Sequence, residues 1–328
     1  MELYPFIFEP IYVESPWGGG LLSEILARQP PATAMPIGES LELIDSEAAQ
    51  SVVANGALAG RRLGDLVQAM PASLVSARHD GATPFPLRVK YIDAGRRLPL
   101  QVHPDNHMCA KIPSAEPNTK MWYIVGTRKA ARILAGIEFR CTQQQFLGRI
   151  GTPEIEDMIV DFQAEPGDAY YIAAGRPCAI DAGNLVLSIQ QNSDSAYVLT
   201  DWGNADVPTD PGERQTALRC IHFEDRTVAR IRGESSVVMR NRKVPLITTC
   251  PYFVVDELRL VNEMYDRTDG SSFHLITAID GDVTITSTSV EVYLERGRSA
   301  LVPAAFGSYA TTPADGLTKV LKASLNTS

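Results

Sequence analysis

Gln101 and His103 stand two residues apart in the run Leu98-Pro99-Leu100-Gln101-Val102-His103-Pro104-Asp105. In an extended strand, alternate side chains share a face. The amide and the imidazole therefore point the same way, and Val102 points opposite. Pro104 has no backbone N–H and ends the strand. An amide oxygen and an imidazole nitrogen on one face are two of the donors a metal ion can take. A single strand histidine is more often a hydrogen-bonded structural residue, so the pair needs further partners. His107 becomes a third donor only if the loop after Pro104 folds back. His79 and Asp80 read as solvated loop residues, and His222 and His274, without partner motifs, as structural ones.

The elements that must position this pair are mostly short strands. Two-residue alternation or β-former enrichment predicts strands over 7–13, 38–44, 85–92, 98–103 and 118–125, with three more between 169 and 199. Helical spacing predicts helices over 21–28, 63–74, 143–150 and 154–159, the second of them interrupted at Pro71. After residue 244 short strands return at 253–260, 272–279, 283–287, 290–294, 299–302 and 317–321, separated by turns such as Asp280-Gly281-Asp282. Many short strands at regular spacing predict β-sandwich or jelly-roll domains. The stretch 203–243 is polar and carries Arg214, Arg219, Arg226, Arg230, Arg232, Arg240 and Arg242. It reads as a linker with some helix, giving an N-terminal domain over 1–235 and a C-terminal one over 243–328. Trp17, Trp122 and Trp202 read as core or turn anchors.

The chain of 328 residues is long enough for two cores. Its formal charge is −9 and its pI about 5.1. An acidic surface repels phosphate backbones and argues against nucleic-acid binding. Five cysteines at wide spacing, with no CxxC, fit a reducing cytoplasm better than a disulfide framework. No secretory pattern opens the chain and no apolar run reaches about 18 residues, so neither export nor a membrane span is expected. No GxGxxG or Walker loop occurs.

Several motifs, in order, resemble the type I mannose-6-phosphate isomerases (phosphomannose isomerases), a zinc-dependent cupin family. Trp17-Gly18-Gly19 and Gly38-Glu39-Ser40 are similar to its opening motifs. Pro86-Leu87-Arg88-Val89-Lys90, followed by Gln101-Val102-His103-Pro104-Asp105, is similar to its signature strand pair. Met121-Trp122-Tyr123, Gln190-Gln191-Asn192-Ser193-Asp194 and Asp201-Trp202 continue the match. Gly281 and Leu301-Val302-Pro303-Ala304 resemble its C-terminal cupin domain. The resemblance implies two cupin-like jelly-roll domains, mostly β, with a few helices in insertions and linker.

It also implies where site residues fall. In that family zinc is held by a Gln, a His, a Glu and a second His. The first two positions are Gln101 and His103. The glutamate, just before the Met-Trp-Tyr run, corresponds to Lys120. The second histidine corresponds to Cys178, after Ala173-Ala174-Gly175. A family lysine is replaced by Asn118, a glutamate by Ser188, and the proposed catalytic arginine by Val198. Lys90 is kept and is the remaining candidate catalytic residue.

A protonated Lys120 about 4 Å from a divalent ion costs roughly 8 kcal/mol at an effective dielectric near 20. Neutralising it at pH 7 first costs about 4–5 kcal/mol. Zinc, the cofactor implied by resemblance, is therefore expected to be weak or absent. Lys120 is expected instead to act as the pocket's internal cation, with Gln101 as one partner and a Cys178 thiolate as counter-charge; alternatively Cys178 is a small buried apolar residue. The expected function is a mannose-6-phosphate isomerase homologue of carbohydrate metabolism with lost or altered activity, keeping a pocket for a sugar or sugar phosphate. The alternatives are a working zinc-dependent aldose–ketose isomerase, and an enzyme of another class built on Lys120 and Cys178.

Overall fold

The computed structural model describes residues 3–202 and 211–327; the first part of the expected linker, 203–210, lies outside the described residues. The chain is mostly β, in antiparallel sheets, and forms two compact units. One contains Met1–Ile11, Leu41–Val89 and Arg232–Ser328; the other contains Tyr12–Ser40 and Lys90–Ile231. The sequence suggested a division by chain order at 235–243. The compact units instead group 1–11 and 41–89 with the C-terminal segment. Antiparallel pairing supplies one reason: Phe6 and Ile7 pair with Leu301 and Ala300, across nearly the whole length of the chain.

In the first unit a seven-stranded sheet runs Phe6–Ile7, Ser299–Val302, His274–Asp280, Thr318–Leu325, Phe253–Leu260, Asn241–Ile247, Ser236–Val238. A four-stranded sheet runs Met264–Arg267, Ser308–Pro313, Val283–Thr286, Glu291–Leu294. Leu258, Ile276 and Val320 of one pack with Val283, Ile285 and Leu294 of the other, as facing sheets of a sandwich do. The turn at 280–282 needs its glycine: Gly281 has φ 95°, and a Cβ there would stand 2.7 Å from Thr318 Oγ1.

The second unit holds a five-stranded sheet in the order Tyr197–Thr200, Leu100–Val102, Cys178–Ile180, Arg132–Ile137, Ile159–Gln163. A larger sheet runs Arg230–Ile231, Ala169–Ile172, Lys120–Thr127, Asn184–Gln191, Leu87–Ala94, Ile37–Leu43, Ile11–Glu14. Between them lies an apolar interior of Ile92, Ala94, Trp122, Ile124, Ile133, Ala135, Ile172, Ile180 and Val186. The outer face of the smaller sheet buries Leu100, Val102, Leu134, Ala179 and Leu199. Helices Gln143–Arg149 and Pro211–Cys220 cover it through Phe146, Ala217 and Cys220. Thr142 and Gln145 form a capping box at the first of these helices.

Most predicted elements form, with bounds moved by a few residues. The segment predicted as helix over 63–74 breaks at Met70 into Leu63–Ala69 and Pro71–Leu74, because Pro71 carries no N–H to continue the first helix. Residues 154–159 form a 3-10 turn, Pro153–Met158. Strands absent from the sequence reading appear, among them Arg132–Ile137, Ile159–Gln163, Met264–Arg267 and Ser308–Pro313, and Arg230–Ile231, Ser236–Val238 and Asn241–Ile247 in and beside the stretch read as a linker. Among the described residues no helix is long and apolar enough to cross a membrane.

Candidate functional site

The site residues occupy one end of the apolar interior of the second unit. Strand alternation carries this argument. Lys90 continues the inward row of Ile92 and Ala94; Lys120 continues Trp122 and Ile124; Ser188 and Gln190 continue Val186; Cys178 continues Ile180. Register joins the rows. Cys178 lies opposite Gln101 on one side and Val198 lies opposite it on the other, while Lys120 faces Gln190. Positions 90, 101, 120, 178, 188 and 198, scattered over 109 residues, are thus brought to one face pair.

Two backbone bonds hold the end of the histidine strand. Gly175 N donates to His103 O at 2.8 Å, and Asn118 N donates to Pro104 O at 3.1 Å. Gly175 is required there: its φ is 85°, and a Cβ would meet the His222 ring at 2.4 Å. His222 Nε2 pairs with Asp105 Oδ2 at 3.0 Å, and Asp105 Oδ1 accepts from Met108 N at 2.7 Å, capping the helix Asn106–Cys109. His222 is therefore a structural clasp. His107 sits on that helix, 2.6 Å from Lys111 Nζ and exposed, and does not fold back toward His103.

His103 is 1% exposed. Its Nδ1 faces Cys178 Sγ at 3.9 Å, and its Nε2 is buried without a hydrogen-bond partner. Burial, then the charges of Lys120 and Lys90, hold its pKa well below the usual imidazole value. The ring is neutral. Cys178 is equally buried, and burial pushes its thiol up to about 12, against the opposing pull of Lys120 and Arg176. This corrects the expectation of a thiolate counter-charge: desolvation outweighs the cations, and the sulfur stays protonated. Lys90 Nζ is held by Glu39 Oε1 at 2.6 Å. Arg176, two residues before Cys178, is turned away to Asp225, Tyr171 O and Thr227.

A neutral network joins the remaining positions. Ser188 Oγ donates to Gln190 Oε1 at 3.1 Å, and Gln190 Nε2 donates to Asn118 Oδ1 at 3.3 Å and Ser193 O at 3.0 Å. Asn118 Nδ2 in turn donates to Ser193 O and Ser195 O. Gln190 is the centre of this network and was not among the candidate site residues. It belongs to the Gln190-Gln191-Asn192 motif, but its side-chain partners lie two and 72 positions away and no spacing reveals the second. Glu39 was likewise only a motif residue until its pairing with Lys90 was seen. Trp122 is a core anchor, and Trp202 Nε1 anchors a loop on Leu98 O at 2.8 Å.

The donor set does not fit a zinc ion of the family kind. Such a site needs deprotonated or neutral donors closing a tetrahedron. Here one imidazole and one amide stand with an amine whose charge acts on that imidazole and with a thiol protonated by burial. Among the described residues no group of three or more His, Cys, Asp and Glu side chains comes together to hold a metal.

Comparison with known proteins gives the same lineage. The family model for the mannose-6-phosphate isomerase cupin domain matches residues 243–313. The chain is 28% identical over 318 residues to mannose-6-phosphate isomerase ManA of Bacillus subtilis (strain 168), covering 94% of this chain and 96% of that one. It is 23% identical over 306 residues to mannose-6-phosphate isomerase of Streptococcus mutans, covering 90% and 92%. The crystal structure of mannose 6-phosphate isomerase from Bacillus subtilis superposes with a TM-score of 0.82 at 23% identity, over 97% of this chain and 99% of that one. Over nearly its whole length the chain is similar to mannose-6-phosphate isomerases, and its residues 243–313 match the cupin domain of that family.

Proposed function

We propose that this chain is a mannose-6-phosphate isomerase homologue that keeps a pocket for a sugar or sugar phosphate and has lost or altered the isomerase chemistry. One observation carries the reading: the position that a metal-binding carboxylate takes in the family holds the Lys120 amine, whose charge acts on a neutral, buried His103. Aldose–ketose isomerisation moves a proton between adjacent carbons. It needs a Lewis acid or donor on the carbonyl, a base at the carbon and a cation at the developing oxyanion. Val198 supplies no charge, Ser188 and Asn118 are tied into a neutral network, and Lys90 is paired with Glu39. Losing one oxyanion donor alone typically costs about 2.7–4 kcal/mol of transition-state stabilisation. We place the protein in a reducing compartment, the cytoplasm, on its unpaired cysteines.

A second reading, a zinc-dependent isomerase, draws on Gln101 and on the partnerless Nε2 of His103. Metal analysis of protein purified without chelators, with a coupled assay on mannose 6-phosphate with and without added zinc, separates the two. The first reading expects no stoichiometric zinc and no turnover. One tightly bound zinc per chain with turnover would overturn it.

A further inference from the structure

A cavity of about 560 Å³ opens in the first unit, beside the outermost strand of its four-stranded sheet, Glu291–Leu294. None of the candidate site residues lines it. Its walls are the strand edge 289–293, the turn 55–58, and Tyr4 with Ile7, all within this unit. Pockets for small organic ligands run to roughly 300–1,000 Å³. The wall formed by the turn is fixed. The Tyr4 hydroxyl donates to Asn55 O at 2.9 Å and accepts from Leu58 N at 2.7 Å. Asn55 Nδ2 donates to Pro5 O at 3.0 Å, and its Oδ1 accepts from Ile7 N at 2.9 Å. These polar side chains are spent on holding the turn, while Ile7 and Leu58 supply apolar surface.

The strand wall differs in character. Val292 and Leu294 are buried, so alternation turns Glu291 and Tyr293 to the opposite, exposed face. Two residues along a strand span about 6.6 Å, which sets the carboxylate beside the ring. The Tyr293 hydroxyl donates to Asp282 Oδ2, and this pins the exposed ring. Among the described residues the Glu291 carboxylate has no hydrogen-bond or ion-pair partner. The charged groups acting on the Tyr293 hydroxyl are Asp282, Glu295 and Asp315, all acidic. Arg296, the cation next in sequence, directs its Nε to Ile279 O at 3.3 Å.

We infer that this cavity binds an organic cation, an amine carried on an apolar body. The ammonium pairs with the Glu291 carboxylate and lies against the Tyr293 ring, whose π-face attracts cations, while the body covers Ile7 and Leu58. An anion meets an uncompensated carboxylate, and a neutral molecule of the same shape gains only the apolar part.

The test is calorimetric titration of the full chain at pH 7 with phenethylamine, phenethyl alcohol and hydrocinnamate, which share one apolar frame and carry a positive, no and a negative charge. Phenethylamine should bind at least about tenfold more tightly than the alcohol, and hydrocinnamate more weakly than the alcohol. Glu291→Gln should remove the advantage of the amine and leave the alcohol within about twofold, and Tyr293→Leu should weaken the amine at least about threefold. If either variant does not fold, the wild-type chain decides: rising salt should weaken the amine and not the alcohol. Equal affinity for amine and alcohol, tighter binding of hydrocinnamate, an amine indifferent to Glu291→Gln, or no amine binding overturns the assignment.

Discussion

The sulfur of Cys178 faces Nδ1 of His103 at 3.9 Å, in an environment that keeps both side chains uncharged. The pair sits where the family resemblance places two metal-binding histidines. It is built for a hydrogen bond rather than for coordination.

If the thiol donates, nitrogen-15 NMR should show the His103 ring as the Nε2–H tautomer, still neutral below the usual imidazole pKa of about 6.5. The sign is set by burial and by two nearby amines, all of which lower the pKa. In Cys178→Ala the fixed tautomer should become a mixture. An imidazolium signal above pH 6 in the wild type would contradict this electrostatic account.

Cys178 should also be inert. With a pKa of about 12, fewer than roughly one thiol in ten thousand is ionised at pH 7.5. Brief alkylation of the native protein, read by peptide mass spectrometry, should label the partly exposed Cys109 first and Cys178 only after unfolding.

Rebuilding the metal site requires two changes. The double variant Lys120→Glu with Cys178→His should bind close to one zinc per chain where the wild type binds none. Turnover of mannose 6-phosphate should remain at least about a hundredfold below that of an active relative while Val198 stays, since one missing cation or donor is worth about 2.7–4 kcal/mol. Metal analysis and the coupled assay read the two results separately.

Gln190→Ala should destabilise the chain by about 1–3 kcal/mol in urea unfolding, because it removes the acceptor for Ser188 Oγ and a donor to Asn118 Oδ1 in a buried setting.

Asp93 gives a pH signature away from the site. Burial raises its carboxyl from 3.8 to about 6, while Oδ2 accepts from Leu22 N at 2.8 Å and Oδ1 has no partner. The folded state therefore holds this proton more tightly than the unfolded state does. Its contribution to stability is full below pH 3.8 and is lost as pH rises through 6. Asp93→Asn should remove that part of the slope in melting temperature between pH 4 and 6.5. An unchanged slope would reject the assignment.

Much of the site was legible because its signals are local. Gln101 and His103 share a face by simple alternation, and Pro104 marks the strand end. The strand Phe253–Leu260 was predicted to the residue because an uninterrupted run of β-formers and alternating polar residues defines it. What stayed hidden depends on distant partners or on atypical composition. Ser308–Pro313 reads as SYATTP, polar and ending in proline, and becomes a strand by pairing with Met264–Arg267 and Val283–Thr286. The pairing of Lys90 with Glu39 spans 51 positions. The protonation of Cys178 was misjudged because sequence shows the nearby cations and not the burial that outweighs them.

The bridge from Ser188 through Gln190 to Asn118 bears on reversibility. A glutamate at 188 alone, or a lysine at 118 alone, would place one ionised group in a space fitted to amide and hydroxyl dipoles, and each single step would lose stability. Charges at these two positions are therefore tolerated only as a pair, each answering the other, so the neutral bridge makes 118 and 188 a coupled unit that must be exchanged together.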